Sequence, residues 1–145
     1  MTAPPVYLTR TYRFCAGHRL HDPARDEEWN ERVFGKCSRP GGHGHNYTLE
    51  VTVSGTPDAA TGWVVRLDRL DEVVERQALD RLDHHNLNDV LPSRFGPAPT
   101  TEVLAIELWD LLAPHIPAPA RLHRLEVRET EKNTFDYYGP STEEA

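Results

Sequence analysis

The segment NYTLEVTV, residues 46–53, constrains the fold of this chain more than any other stretch. Apolar side chains occupy every second position, and polar side chains occupy the positions between them. Successive side chains on a β-strand point to opposite faces of the sheet, so this alternation predicts a strand with one buried and one polar face. The apolar positions are Tyr47, Leu49, Val51 and Val53.

The rest of the chain predicts strands towards both ends and helices between them. Apolar residues recur at helical spacing over 68–83 and 99–114, which predicts two amphipathic helices. Helices and sheets pack in layers, so this order favours an α+β domain: an antiparallel sheet with both helices packed on one face. The other segments that predict strands, from their β-branched and aromatic residues, are 6–18, 62–67, 121–130 and 134–139.

A polar segment over 21–42 separates the first two strands. It is longer than an ordinary connection, and loops of that length tend to be functional or disordered. The first five residues and the tail from Pro140 are expected to be frayed. The chain length fits a single domain, 1–145, with an ordered core over about 6–139.

Composition excludes several classes of function. The 16 Lys and Arg against 23 Asp and Glu give a net charge of −7, and no basic run could follow a phosphate backbone, so nucleic acid is not an expected partner. No apolar stretch has the length of a signal peptide or membrane helix, which predicts a soluble cytoplasmic protein with no membrane partner. Two cysteines are too few for a disulfide scaffold and are expected to be free thiols.

His43 and His45 flank a single glycine at the start of the alternating strand, so their imidazoles point to the same face. On spacing alone, two histidines in this pattern fit a structural pair, exposed or in the core, as well as they fit a metal site, and a metal site needs a third ligand. His18, at the end of the first strand, is the best candidate. Three imidazoles with an open position are typical of catalytic zinc, whereas structural sites are closed by four ligands. We therefore predict a Zn²⁺ site.

A second interpretation of the same motif is a cupin-like metal centre, with Glu50 as the acidic ligand after the two histidines. Glu50 lies five residues beyond His45 and faces away from both histidines on a regular strand. No second cupin-type motif follows, and two long helical patterns fit a jelly roll poorly. This interpretation is disfavoured.

Cys37 allows three interpretations: a fourth metal ligand, an ordinary buried thiol, or a reactive base. Lys36 and Arg39 lie beside it, and neighbouring cations lower the pKa of a thiol, which favours the base. Cys15 lies among apolar neighbours on the face of its strand away from His18, which favours simple packing.

Two acidic positions have both a structural and a functional interpretation. Asp83 and His84 are adjacent at the end of the first helix, where an Asp can orient an imidazole, although the residues alone favour a solvated helix end. Glu129 falls in the apolar phase of its strand, after Leu125 and Val127. A buried carboxylate must be paired, so Glu129 is either a ligand anchor or a strand end that reaches solvent.

Taken in order along the chain, these features resemble the 6-pyruvoyl-tetrahydropterin synthase family and its relative, 6-carboxytetrahydropterin synthase, which share the tunnelling fold. The resemblance extends from about residue 6 to residue 139. The six-residue step from Cys37 to His43 is closer to the pyruvoyl enzymes. The segments that carry the resemblance are FCAGHRLH, FGKCSRPGGHGHNYTLEVTVSG, TGWVVRLDRL, LDHHNLN, PTTEVLAIELWDLL and VRETEKNTFDYYG.

The resemblance implies a role for each of these residues. The three histidines would bind zinc, Cys37 would be the thiolate that abstracts protons, and Asp83 with His84 would be the proton-donating pair. The pterin ring would be bound by Glu129, Thr100, Thr101 and Glu102. Candidates for binding the triphosphate, chosen only for their charge, are Arg13, Arg19, Lys36 and Arg39.

The implied activity is that of a zinc-dependent lyase that converts 7,8-dihydroneopterin triphosphate to 6-pyruvoyl-tetrahydropterin, with elimination of triphosphate. The alternatives are the 6-carboxytetrahydropterin synthase of queuosine biosynthesis, which releases acetaldehyde and triphosphate, and a non-catalytic zinc- or pterin-binding protein. The resemblance further implies four-stranded sheets that join into a β-barrel and a homohexamer formed as a dimer of trimers. Cys37 and the Asp83–His84 pair of one site would then come from different subunits.

Overall fold

The structure is a computed structural model that describes residues 1–141. The predicted fraying of the C-terminal tail concerns residues from Pro140 onward, and 142–145 lie outside the described residues. The first five residues belong to no helix or strand. No helix within 1–141 has both the length and the apolar character needed to cross a membrane.

The described residues form a sheet with strand order β3-β1-β2-β4-β5. β1 and β2 are antiparallel and paired along their whole length, from Val6 opposite Gly55 to His18 opposite His43. β4 and β5 continue the antiparallel pairing, as predicted. The strands are β1 (Val6–His18), β2 (His43–Gly55), β3 (His85–Asn86), β4 (Arg121–Arg128) and β5 (Thr134–Tyr137).

The four-stranded sheet that the resemblance implies lacks the short β3, which adds a fifth strand parallel to the end of β1. Two residues contain no alternation, so no periodic signal exists for such a strand. A hydrogen bond to the backbone of β1 holds β3 in place. The N–H of His84, the residue before β3, donates to the Cys15 carbonyl at 2.6 Å.

The predicted strand over 62–67 is wrong. Gly62 has φ +76°, and the loop is closed on Asp58, whose N–H donates to the Trp63 carbonyl at 2.9 Å. The Asp58 carboxylate also accepts from the N–H of Thr61 at 2.9 Å. Asp and Ser/Thr side chains that bind their own backbone favour turns over strands, and here that local bonding outweighs the apolar run.

The two predicted helices lie where the spacing places them, and two further helices are missed. The first predicted helix is Leu67–Val74 (α2), continued by a π-helical turn over Glu75–Leu79 and ended by Asp80–Leu82 (α3). The second is Thr101–Leu112 (α5), capped by the Thr100 hydroxyl, which accepts from the Val103 N–H at 3.3 Å. The described chain also contains Glu27–Phe34 (α1) and Leu87–Val90 (α4).

The segment over 21–42 is therefore not a structureless loop. Asp26 caps α1 by accepting from the Trp29 N–H at 2.8 Å. The buried Asn30 amide ties this helix to the preceding turn: its oxygen accepts from the Asp22 N–H, and its nitrogen donates to the Asp22 and Asp26 carbonyls. A short 3₁₀ turn, Gly35–Ser38, then leads towards β2.

The core lies between one face of the sheet and the helices α2 and α5, which confirms the predicted layer arrangement. All four apolar positions of the 46–53 segment are buried, as their alternation predicts. The opposite face is polar, and Glu50 lies there, 3.7 Å from the Arg124 guanidinium. Glu50 therefore faces away from the histidines, and the cupin interpretation is excluded. The helical residues that pack onto the sheet include Leu70, Val74, Leu104, Leu108 and Leu112.

Candidate active site

Three imidazoles meet where β1 ends and β2 begins. The antiparallel register places His18 opposite His43, and His45 follows on the same face of β2. The ligand nitrogens of the three rings lie within 4.8 Å of one another, and Nε2 of His18 is 3.1 Å from Nε2 of His43. Two imidazole nitrogens on one tetrahedral zinc-sized ion would be about 3.3 Å apart, so this pair has the spacing of metal ligands.

His18 is held in the tautomer that a metal ligand requires. Its ring is buried, with only 2% of the residue exposed, and its Nδ1 lies 2.8 Å from the Pro99 carbonyl oxygen. A carbonyl can only accept, so Nδ1 carries the proton and Nε2 presents a lone pair to the cluster. The predicted trio is thus brought together, and its donor chemistry fits a metal ion.

Burial lowers the pKa of the His43 imidazole, and the neighbouring His18 acts in the same direction. Burial also lowers the pKa of His45. In both cases the Glu129 carboxylate opposes the change, which places Glu129 within electrostatic reach of the cluster. A lowered pKa favours the neutral imidazole, the form that binds metal.

Glu129 follows directly after β4 and is half-buried. Its Oε2 accepts a short hydrogen bond from the hydroxyl of Thr101, a buried residue in the first turn of α5. The carboxylate is therefore a bound group rather than a strand end in solvent. Among the other predicted binding residues, the Thr100 hydroxyl caps α5 and Glu102 is exposed in its first turn.

Tyr47 contacts the imidazole cluster and interacts electrostatically with Glu129, and no signal in the sequence marks it as a site residue. Its ring stacks on Phe14 with centroids 4.9 Å apart and meets the edge of His45 at 5.6 Å. Burial raises the pKa of the Tyr47 hydroxyl, and the Glu129 carboxylate adds to the rise. Among the described residues this hydroxyl has no partner in hydrogen-bonding geometry, although the Thr101 hydroxyl lies close enough to oppose part of the rise.

Cys37 lies in the 3₁₀ turn and is half-buried as a free thiol. Its carbonyl accepts from the Leu20 N–H at 2.9 Å, and the next carbonyl, of Ser38, accepts from Arg19 Nε at 2.8 Å. These bonds fix the turn beside the end of β1 that carries His18. Cys37 is not part of the metal-ligand cluster found within 1–141.

The side chains of Asp83 and His84 are in contact, and the backbone of Cys15 positions the pair. The Asp83 carboxylate accepts from the Cys15 N–H at 2.8 Å and lies 3.0 Å from Nδ1 of His84. The Cys15 amide, with help from His84, lowers the pKa of the Asp83 carboxyl. His84 adopts φ +60° and its side chain is 79% exposed, so the imidazole projects into solvent.

No hydrogen bond or ion pair links Cys37 to the Asp83–His84 pair within the described part of the chain. Sequence reasoning also missed the Pro99 carbonyl and the Cys15 amide. Both are backbone groups, and the identity of a residue carries no signal for which distant side chain its backbone will bind.

The fold and the three-imidazole cluster define a protein with a histidine group able to hold a metal ion at one end of a mixed sheet. The family model for 6-pyruvoyl tetrahydropterin synthase matches residues 7–140, and the chain belongs to that family.

Three comparisons place the chain within the family. It is 42% identical to "6-pyruvoyl tetrahydrobiopterin synthase" of Drosophila melanogaster over 137 residues, which cover 94% of this chain and 82% of that protein. The solved structure of Caenorhabditis elegans 6-pyruvoyl tetrahydropterin synthase superposes with a TM-score of 0.88 at 34% identity, covering 97% of this chain and 99% of that one. A more distant relative, "Dihydroneopterin monophosphate aldolase" of Pyrococcus furiosus, is 32% identical and covers 80% of this chain and 82% of that protein.

Proposed function

We propose that this protein is a zinc-dependent lyase that converts 7,8-dihydroneopterin triphosphate to 6-pyruvoyl-tetrahydropterin and releases triphosphate. The observation that carries the proposal is the three-imidazole cluster beside the Glu129 carboxylate, in a chain 42% identical to an enzyme named for this product. The activity belongs to pterin biosynthesis.

Zinc is the proposed metal because three neutral nitrogen ligands with an open position are its usual catalytic set. His18, His43 and His45 would hold it, with the Pro99 carbonyl orienting the first. A bound zinc supplies Lewis acidity to the hydroxyls of the substrate side chain, which makes the neighbouring carbon-bound protons easier to remove.

Glu129 is the proposed anchor for the pterin ring. The ring presents an amino group and a ring N–H side by side, and a carboxylate can accept both as a bidentate pair. The Thr101 hydroxyl holds Glu129 Oε2, so the carboxylate is oriented before the substrate arrives. Thr100 and Glu102 flank this position at the start of α5 and complete the proposed binding set.

Cys37, as the thiolate, is the proposed base that takes protons from the two hydroxyl-bearing carbons, and Asp83 with His84 returns a proton to the ring. The electrons balance internally. The two hydroxyl carbons become carbonyls, the ring C=N bond is reduced, and the carbon that loses triphosphate becomes a methyl group. No external reductant is consumed.

One incubation tests the activity: zinc-loaded protein with 7,8-dihydroneopterin triphosphate, followed by mass spectrometry. We expect triphosphate and 6-pyruvoyl-tetrahydropterin in equal amounts. Acetaldehyde with a carboxy product would instead assign the 6-carboxytetrahydropterin reaction, and carbon–carbon cleavage of the monophosphate substrate would assign an aldolase. Turnover of none of these substrates would leave only a metal- or pterin-binding protein.

A pair of cysteine variants tests the base. Cys37→Ala should lower kcat about 10²- to 10⁴-fold with metal content unchanged, because it removes proton transfer alone. Cys15→Ala is the matched control: its thiol donates a hydrogen bond to the Asn46 amide oxygen, away from the imidazole cluster, and alanine keeps the backbone amide that binds Asp83. Equal activity of the two variants would refute the role of Cys37.

We further propose that the complete site forms between subunits of a homohexamer built as a dimer of trimers. Two observations support this. Among the described residues, no hydrogen bond or ion pair links Cys37 to the Asp83–His84 pair. β3 pairs with β1 only at Ala16 and Gly17, so most of the outer edge of β1 is free to pair with another strand. An unpaired strand edge of that length is normally covered.

Complementation tests the shared site. Cys37→Ala and His84→Ala variants should each be inactive, and a mixed assembly should regain about a quarter of the wild-type activity, because random pairing restores both groups in that fraction of sites. No recovery from a mixed hexamer, or a monomer in solution, would contradict the shared site.

A further inference from the structure

A second cleft lies beside the metal cluster, between α1, the 3₁₀ turn and the residues that follow β1. Three cationic side chains line it: Arg19, Lys36 and Arg39. Within residues 1–141 none of the three has a carboxylate partner within 4.0 Å. In a chain with a net charge of −7, three unpaired cations around one cleft point to an anionic ligand.

The residues that line the cleft include chain neighbours of a proposed metal ligand, His18, and of the proposed base, Cys37. Arg19 directly follows His18, and its Nε donates to the Ser38 carbonyl at 2.8 Å, which holds the guanidinium against the 3₁₀ turn. Lys36 immediately precedes Cys37 in that turn, and Arg39 lies two residues after it. An anion in the cleft would therefore lie beside the groups that act on the substrate side chain.

We propose that this cleft binds the triphosphate group of the substrate and holds it as it leaves. The inference rests on the proposed function and deepens it by assigning the leaving-group subsite. A triphosphate ester carries about four negative charges near neutral pH, and guanidinium and ammonium groups are the usual partners of phosphate. Negative charge grows on the oxygen as the carbon–oxygen bond breaks, so cations fixed there also favour the elimination.

The structure separates these three cations from the fourth candidate. Arg13 lies on β1 in the phase opposite to Phe14, Ala16 and His18, so it faces the other side of the sheet and does not line the cleft.

Two carboxylates also line the cleft, and we expect their removal to raise the affinity for triphosphate. Glu27 and Glu31 are four residues apart on α1 and therefore share one face of that helix. Their charges oppose a bound polyanion. A Glu27→Gln, Glu31→Gln double variant should therefore bind triphosphate more tightly than the wild type.

Inorganic triphosphate is the probe, titrated calorimetrically into the assembled, metal-loaded protein and tested as an inhibitor. A Lys36→Ala, Arg39→Ala double variant should bind it about 10- to 100-fold more weakly, because two charged contacts are lost. Arg25→Ala is the matched control: its guanidinium lies 4.9 Å above the Trp29 ring, outside the cleft, and its loss should change binding less than about 2-fold. Replacing Arg39 by lysine instead of alanine should recover part of the affinity for triphosphate. A loss of affinity caused by misfolding would not be recovered by restoring a positive charge.

Equal binding by the wild type and the Lys36/Arg39 double variant would overturn the inference, as would an equal loss in Arg25→Ala, since that would reflect net charge alone. The two proposals fail separately. Turnover of dihydroneopterin triphosphate with unchanged triphosphate binding in the double variant leaves the lyase standing and rejects the cleft. Cation-dependent binding of triphosphate without any turnover supports the cleft and rejects the lyase.

Discussion

Replacing Gly42 by alanine should damage the metal centre, whereas the same change at Gly41 should not. Both glycines precede β2 and have left-handed backbone angles, with φ +68° at Gly42 and +88° at Gly41. A Cβ added at Gly42 would lie 2.5 Å from the carbonyl oxygen of His18 and 3.0 Å from its carbonyl carbon. A Cβ at Gly41 would meet nothing within 4 Å.

The magnitude follows from these distances. Each alanine in the left-handed region costs about 1–2 kcal/mol of unfolding free energy. At Gly42 the His18 carbonyl must also retreat from 2.5 Å to ordinary contact, a shift of about 1 Å. Overpacking of this kind adds about 1–3 kcal/mol. The shift disturbs the backbone of His18, a proposed metal ligand whose ring the Pro99 carbonyl orients, and losses of such support weaken metal binding about 10- to 100-fold.

Two measurements check this reasoning: competition of each variant with a chromophoric zinc chelator, and denaturant unfolding of the metal-free proteins. We expect both variants to lose stability, with Gly42→Ala losing more, and only Gly42→Ala to lose metal affinity. Equal metal affinities for the two variants would refute the idea that contact with the His18 backbone makes glycine necessary at position 42.

Three further predictions concern other parts of the molecule. The pKa of the Asp83 carboxyl is lowered in the folded state. Its carboxylate therefore stabilises the fold at pH values above the unfolded pKa of about 3.9. That stabilisation is lost as the pH falls through the pKa of the folded state. Urea unfolding from pH 6 to pH 2 should therefore show a flatter acid limb for Asp83→Asn, and unchanged pH dependence would contradict the bond from the Cys15 amide. Thr101→Val removes the donor to Glu129 and should raise KM for the pterin substrate about tenfold without loss of zinc, whereas a lower metal content would mean a structural role. Leu108→Ala opens a cavity in a fully buried position and should lower the unfolding free energy by about 2–5 kcal/mol in denaturant titrations, so a loss below about 1 kcal/mol would contradict tight packing there.

Local patterns in the sequence predicted the elements that depend on periodicity. The alternation over 46–53 predicted β2 and its buried face, and the position of His43 and His45 on one face follows from strand geometry alone. The helix over 101–112 was predicted from apolar residues that recur at helical spacing. Where side chains bound their own backbone, as at Asp58 and Asp26, hydrophobic periodicity failed to predict the turn or the short helix.

By itself the sequence determined which residues are candidates for metal binding and proton transfer, because side-chain type and strand or helix phase are local properties. Only the tertiary structure decided how these residues meet. The antiparallel register brings His18 opposite His43, the Pro99 carbonyl selects the tautomer of His18, and the Cys15 backbone holds the Asp83–His84 pair. Each of these contacts joins segments far apart in the chain. The packing of the whole domain sets their geometry, and no local pattern of residues encodes it.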